Sequence, residues 1–559
     1  MTQTRTFLLI AWLVVAFLLW DAWQKDYNRP AAAPAQSASV DALIPSAGDP
    51  GALPAPGEIP NAPVSSERPE ADVRVPAEAS VVLANDVLRL TLDARGGTVL
   101  VAELLDYAQQ PKGEQVPVQL LSQDAANYFV AQNGLVGSPA APSHEDTMQP
   151  QRGDQVLADG AESVELPFLW RGADGVEVER SYRLARGSYL LEVTDTVRNN
   201  GTTAWSGNAY HQLVRVPPPA TRGGFTNPAS LSFVGAAWYS PQDKFEKRKF
   251  DKFDPRKPLR IDVTDGWIAM LQHYFTAAII PPAGEASVFS SAALSNNRYL
   301  MREVGSGFNV APGAQASTTT RLYLGPKMRQ ELEAISPGLG LTLDYGIFTV
   351  LAQPMHWLLS MLHKLTGNWG WAIVLLVVVI KGALFKLSEA QYRSFAKMRK
   401  VQPRIEALKE RYGDDRQKFQ TAMMEMYKKE KINPLGGCLP ILVQIPIFLS
   451  LYWVLVEAVE LRHAPWILWI QNLTAPDPYF ILPVVNLVTM WATQKLSPAP
   501  GMDPMQKRMM QAMPIVFGVM FAFFPAGLVL YWTTNGLLGL LQQWLIMRRH
   551  GEPAAAAAK

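Results

Sequence analysis

The sequence predicts a membrane α-helical protein with six transmembrane helices and both termini inside, joined to a large exported all-β sandwich and a cytoplasmic helical hairpin. Three observations lead there. Uncharged apolar runs are concentrated at the N-terminal tip and in the last third of the 559 residues. The stretch between them alternates apolar and polar residues with period two, and basic residues crowd particular loops, which orients the apolar runs.

Phe7 to Trp20 (FLLIAWLVVAFLLW) is an unbroken apolar run behind Arg5 and ahead of Asp21, Lys25 and Asp26. A signal peptide has a core of this length, but Trp20, Asp21, Trp23 and Gln24 stand where a small-residue cleavage site belongs. Residues 1–23 are therefore expected to remain as an anchor with its N-terminus inside. Residues 24–79 follow as a linker: ten prolines fall between Pro30 and Pro76 among many Ala, Ser and Gly residues, a composition that buries too little apolar surface to offset chain entropy.

Residues 80–335 carry the period-two signal. Val176, Val178, Tyr182 and Leu184 share one face, and Tyr189, Leu191, Val193 and Val197 line the next strand. Breaks such as Arg95-Gly96-Gly97, Arg186-Gly187-Ser188 and Asn199-Asn200-Gly201 separate the runs, the pattern of an antiparallel sandwich. His211, His273 and several carboxylates are present, but no HExxH, nucleophile elbow or phosphate-cradling glycine loop accompanies them. The domain is expected to bind or scaffold rather than catalyse, and no enzyme activity, cofactor or metal is expected of the chain. Its single cysteine, Cys438, excludes an intramolecular disulfide framework and a cysteine-cluster metal site. A net charge of +2 argues against a dedicated nucleic-acid binder.

The last third contains Trp369 to Phe385, Ile432 to Val456, Pro478 to Gln494, and then Met509 to Met547, 39 residues without a charge. One helix crosses roughly 30 Å of hydrocarbon in ~20 residues, so that last run crosses twice, broken at Pro525-Ala526-Gly527. The expected spans are 367–387, 432–459, 477–496, 509–525 and 526–547, with a short loop at 497–508 and a tail at 548–559. Residues 336–366 are read instead as an interfacial segment. There Thr349, Gln353, His356, Ser360 and His363 oppose Phe348, Leu351, Met355, Leu358, Leu362 and Leu365, an amphipathic helix on a membrane surface. Parity agrees. Lys386 to Lys431 holds 13 Lys plus Arg against 7 Asp plus Glu, and a seventh span would put that loop outside, against the positive-inside rule.

The loop itself, 388–431, has two apolar stripes. Tyr392, Phe395, Met398, Ile405 and Leu408 form one, and Phe419, Met423, Met426 and Tyr427 form the other, with Gly413-Asp414-Asp415 between them. This is a charged helical hairpin. It is either a solvated connector or a docking surface for an anionic partner such as a ribosome or lipid head groups.

Lys381 interrupts an apolar helix. Ionisable residues at membrane depth are functional candidates, but its stem can also snorkel to the inner head groups; both readings stay open. Gln444, Asn486, Gln494, Thr533 and Asn535 either line a wet cavity with it or make interhelical hydrogen bonds. Met398, Met423, Met424, Met426, Met502, Met505, Met509, Met510 and Met513 crowd the cytoplasmic side, as adaptable apolar contacts or as ordinary packing. No P-loop, metal cluster or buried acid pair supports an ATP motor or an intramembrane protease.

At AKMRKVQPRIEALKERYGDD from Ala396, NPLGGCLPILVQIPIF from Asn433, DPYFILP from Asp477 and FPAGLVLYW from Phe524, the chain resembles the YidC/Oxa/Albino family of membrane protein insertases. Its long exported domain looks like that of the Gram-negative branch, a periplasmic sandwich similar to sugar-mutarotase folds. The resemblance implies an inner-membrane protein with a hydrophilic groove, open to the cytoplasm and the lipid and closed outside. Its positive charge would be Lys381, where the best-known members carry arginine, so bidentate carboxylate binding is in doubt. Gln444, Tyr531 and Trp532 would line it, beside a hydrophobic slide from the third and fifth spans. Implied partners are nascent membrane proteins, the Sec translocon and its accessory subunits, membrane lipids, and a ribosome or targeting factors at the cytoplasmic loops. Arg399, Lys400, Arg404, Met423, Met426 and Met509 are the candidates for those cytoplasmic contacts. Rival readings are a solute transporter with Lys381 as counter-ion, although no inverted repeat is visible, and a scaffold acting through the β domain alone.

Overall fold

The computed structural model describes residues 80–138, 140–219, 230, 232–413, 415–430, 439–496 and 504–550. The expected anchor 1–23, the linker 24–79, most of the 497–508 loop and the end of the tail lie outside the described residues.

Ser80 to Pro326 folds into two facing sheets, one of eleven strands and one of nine. Alternation decides which side chains face the core. In the hairpin of Val176–Ala185 and Leu190–Asn199, Leu184 pairs with Leu191 and Val176 with Asn199, and Val176, Val178, Tyr182, Leu184, Leu191, Val193 and Val197 are all buried between the sheets. Two inward positions in the same alternation are charged. Arg180 and Asp195 are direct cross-strand partners, joined Nε to Oδ1 at 2.7 Å with both side chains excluded from solvent. Arg180 Nη1 also donates to the carbonyls of Gly96 at 2.7 Å and Asn133 at 2.9 Å, so this cation ties the two sheets together. His211 Nδ1 contacts Asn133 Oδ1 at 2.9 Å beside it, and burial, with the Arg180 charge, pushes the imidazole down to about 3.

Nine α-helices are found among the described residues: α1 (Arg329–Ile335), α2 (Thr349–Thr366), α3 (Trp369–Ala383), α4 (Phe385–Tyr412), α5 (Arg416–Lys429), α6 (Leu439–Glu457), α7 (Ile481–Leu496), α8 (Pro504–Phe521) and α9 (Ala526–His550). Ile373, Leu376 and Val377 of α3, Leu451 and Val454 of α6, and Leu528 and Val529 of α9 share one core with Ala352 and Leu359 of α2. On the other faces, Val379, Val484, Val488, Ile515, Val519, Phe523 and Leu541 are exposed large apolar side chains, an arrangement suited to a non-aqueous surround. No single helix among the described residues is long and apolar enough to cross a membrane; the pair Trp369–Ala383 and Phe385–Ser394, bent by 66°, is so when taken together. The bend falls at Leu384, directly after Gly382 and Ala383. The helix that starts at Phe385 then runs unbroken to Tyr412, without a boundary at the expected 387/388 junction.

In α2 the polar stripe faces inward. His356 is buried, its Nε2 3.7 Å from Glu460 Oε1 and its ring beside Tyr345, whereas Ile347 is 90% exposed, Val350 83% and Leu365 77%. The helix thus buries His356 together with Leu359 and Leu362 and carries other large apolar side chains on its exposed face.

The sandwich meets the helices at the C-terminal end of α6. Lys327, just past the last strand, donates from Nζ to Glu457 Oε2 at 2.7 Å with both side chains 2% exposed. His273 Nε2–H donates to the Val456 carbonyl at 2.9 Å; burial holds that imidazole down at about 4, hence neutral. Arg462 reaches the Gln109 carbonyl at 3.3 Å. The ammonium offsets a carboxylate that would otherwise face the negative end of the α6 dipole.

Candidate functional site

The positions of the site follow from α9. Tyr531, Asn535 and Gly539 recur every four residues and so share one face. At Tyr531 that face meets Phe448 of α6, ring centroids 6.1 Å apart, and Phe448 also stacks on Trp532 at 5.0 Å. Trp532 lies against Phe521 at 4.1 Å, and Tyr531 is almost fully buried. One turn on, Gln444 Nε2 donates to Asn535 Oδ1 at 3.0 Å. Gln444 and Phe448 are themselves four apart, so α6 and α9 present matching polar and aromatic rungs.

Lys381 enters at the next turn. A Cβ added to Gly539 would lie 3.5 Å from Lys381 Nζ and 3.6 Å from Tyr392 Oη, so both polar groups lie within contact distance of this glycine. Tyr392 Oη donates to the Gly539 carbonyl at 3.2 Å. Lys381 is half-buried, Gly382 and Ala383 beside it are exposed, and a Cβ at Gly382 would meet nothing within 4 Å. Lys381 has no carboxylate partner among the described residues. The bend at Leu384 is what brings Tyr392 back under Lys381. The sequence reading assigned Tyr392 to the hairpin stripe; the structure puts it at Gly539 instead, and neither residue was legible as a site element because nothing in a glycine or in a helix-spaced tyrosine signals a bend eight residues earlier.

The remaining polar residues of the helices do not join this stripe. Thr533 Oγ1 donates to the Leu482 carbonyl at 3.4 Å, Asn486 is buried where α7 meets Gly536, and Gln494 bonds the Met510 carbonyl. Each is an interhelical or local hydrogen bond. Opposite the stripe, the helix starts are tied together. Asp477 accepts from Tyr479 N at 3.0 Å, Leu482 N at 2.8 Å and Trp469 Nε1 at 3.0 Å, capping α7. The α9 start adds Ala526 N to Ala475 O at 2.7 Å and Gly527 N to Leu473 O at 2.8 Å. The motif FPAGLVLYW is thus bonded through its main chain to the segment just before DPYFILP. The NPLGGC part of a third motif lies outside the described residues.

A family model described as YidC periplasmic domain matches residues 80–358, and one described as 60Kd inner membrane protein matches residues 361–553. A membrane protein insertase YidC from Xanthomonas campestris pv. campestris (strain 8004) is 49% identical, the alignment covering 99% of this chain and 98% of the relative. The chain belongs to the YidC family of membrane protein insertases. Among solved structures, an active YidC insertase with its first transmembrane domain resolved is 19% identical with a TM-score of 0.38, over 84% of this chain and 92% of that one. A galactose mutarotase related enzyme from Lactobacillus acidophilus is 10% identical with a TM-score of 0.30, over 44% of this chain and 97% of that one.

The two YidC family models divide the chain inside α2, between the sandwich and the helical body. In the YidC hairpin formed by α4 and α5, Met423 and Met426 are half-buried. They pack on Met398, Val401, Ile405 and Tyr427 in the hairpin's own core, because two amphipathic helices bury their apolar stripes on each other. Arg404 is exposed but holds Glu430 at 2.6 Å across the hairpin. Met509 is exposed on α8. The side chains of Arg399 and Lys400 lie outside the described residues.

Proposed function

We propose that the helical body inserts nascent membrane proteins by receiving a polar segment on the stripe formed by Lys381, Gln444 and Asn535. The single observation that carries this reading is the combination at Lys381: a half-buried ammonium without a carboxylate partner among the described residues, with open space beside Gly382. An ammonium so placed attracts an acidic or hydrated segment, and amide groups one turn away replace part of the water that segment loses. Tyr531 and Trp532 close the stripe with an aromatic wall that favours apolar client residues. The apolar part of the client then moves into lipid along the exposed faces of α6 and α8, and burial of that surface drives insertion without a nucleotide.

This reading includes six spans with both termini in the cytoplasm, an inner-membrane location and the sandwich in the periplasm. In it the bent pair of α3 and the first part of α4 forms the second crossing. The Sec translocon with its accessory subunits, and a ribosome or targeting factors at the hairpin and the 497–508 loop, act as partners; the exposed Met509 is the described residue best suited to such a contact. The test is reconstitution of the purified protein alone in liposomes with a two-span client. Protease protection of the client's translocated loop above protein-free liposomes supports an autonomous insertase, and protection equal to that background refutes it.

A further inference from the structure

We infer that the loop from Lys249 to Arg260 is a binding surface for anionic phospholipid head groups on the sandwich side of the membrane, which rests on the reading that the helical body lies in a bilayer. The loop carries five basic residues, Lys249, Lys252, Arg256, Lys257 and Arg260, and two acidic ones, Asp251 and Asp254, a net charge of +3. All five basic residues are exposed, and none makes an ion pair with another described residue. The strands that flank the loop are edge strands of the two sheets: Lys244–Arg248 ends the nine-stranded sheet and Arg260–Thr264 ends the eleven-stranded one.

Two chains of contacts fix which end of the sandwich the loop occupies. Through the nine-stranded sheet, Arg248 pairs with Ala236 and Gly235 with Leu271. Leu271 precedes the turn whose His273 bonds the α6 end at Val456. Through the other sheet, Phe250 and Phe253 are buried against Tyr299, each ring 5.1 Å from it. Tyr299 pairs with Arg215, whose guanidinium meets the Gln272 side chain of the same turn. Both routes put the loop at the end that meets the helical body. The two buried phenylalanines anchor it there, so the cations project from a fixed base.

The neighbouring segment points to lipid rather than to an acidic protein. Lys247, at the end of the strand that leads into the loop, is ion-paired with Asp344. Asp344 is followed at once by the turn that exposes Ile347 and by the exposed Val350 of α2. A basic loop next to outward apolar side chains at one level matches the head-group and acyl layers of a bilayer in order.

The test uses full-length protein reconstituted in phosphatidylcholine vesicles with or without phosphatidylglycerol. Cys438→Ser removes the native thiol, and Pro255→Cys carries a fluorophore read against a lipid with a head-group quencher. Quenching about two-fold stronger with phosphatidylglycerol, reversed by salt and lost in Lys252→Gln/Arg256→Gln/Lys257→Gln, is expected. Arg171→Gln/Arg198→Gln, at the opposite end of the strands, should leave it unchanged. Quenching that ignores lipid charge and salt in the labelled protein itself, including because the loop faces a protein partner, overturns the inference without reliance on the triple variant. Client protection is scored in the same vesicles, so a loop that binds lipid in vesicles without insertion counts against the insertase reading alone.

Discussion

In the sandwich, a guanidinium shut away from water has a carboxylate and two carbonyls around it; in the helical body, the ammonium of Lys381 has a glycine, a tyrosine hydroxyl and an open side. Both regions pack apolar cores, yet they treat charge in opposite ways. The Arg180 charge is paired through Nε and Nη1, while its Nη2 and Asp195 Oδ2 are buried without a hydrogen-bond partner, so the pair contributes register rather than a surplus of stability. The Lys381 arrangement leaves attraction unspent, which a stability argument does not explain and a client would use.

The largest effect that separates the two regions is expected at Arg180. Arg180→Met leaves Asp195 buried without a counter-charge and should cost about 3–5 kcal/mol, read as a large fall in the midpoint of thermal unfolding of the full-length protein. Arg180→Met/Asp195→Leu should recover most of the loss. Lys381→Ala, by contrast, should leave the midpoint close to that of the unchanged protein. If both single variants unfold alike, the contrast between a paired and an unspent charge fails.

Glu303, paired across strands with His211, offers a pH-based test inside the sandwich. Burial, partly offset by the Ser287 hydroxyl and reinforced by Glu285, pushes its carboxyl from 4.5 up to about 8. The folded chain therefore keeps a proton that the unfolded chain has lost at neutral pH. That contribution is complete below the unfolded value and disappears as pH rises through about 8, on the order of a few kcal/mol in all. His211 works with the other sign: its folded value of about 3 favours folding above its unfolded value and loses that contribution as pH falls. Glu303→Gln should flatten the decline of stability between pH 4.5 and about 8 and leave the loss at lower pH in place. An unchanged decline over that range would remove Glu303 from the account.

The smallest stability effect is expected at Tyr392. Tyr392→Phe removes one hydroxyl-to-carbonyl bond and should cost only about 0.5–1.5 kcal/mol, while altering client insertion through the freed neighbourhood of Lys381. A loss of stability as large as that of Arg180→Met would mean that Tyr392 holds the helical body together rather than bordering a site.

The sequence made some of this readable and hid the rest for definable reasons. Period-two alternation marked the inward residues of both hairpin strands, and the turn at Arg186-Gly187-Ser188 sets a register in which residue numbers of partners add to a constant, so the Arg180 and Asp195 pairing was available in principle. Lys327 and Glu457, 130 residues apart, had no such signal, because their meeting depends on how two domains dock. In α2 the periodicity was visible, but period gives two faces and says nothing of which faces protein when lipid is the alternative solvent. Lys381 stood out as a charge in an apolar run, and Gln444 and Asn535 as amides in others. Their alignment with Gly539 and Tyr392 required the bend at Leu384, which no proline announces.

The most direct measurement compares insertion, in liposomes holding only this protein, of a client with an acidic translocated loop and the same client with that loop neutralised, by the unchanged protein, Lys381→Arg and Lys381→Ala. The account predicts that arginine preserves insertion of the acidic client, that alanine slows it about ten-fold, equivalent to ~1.4 kcal/mol of lost attraction, and that the neutral client barely distinguishes the three. Equal insertion of the acidic client by all three proteins would contradict it.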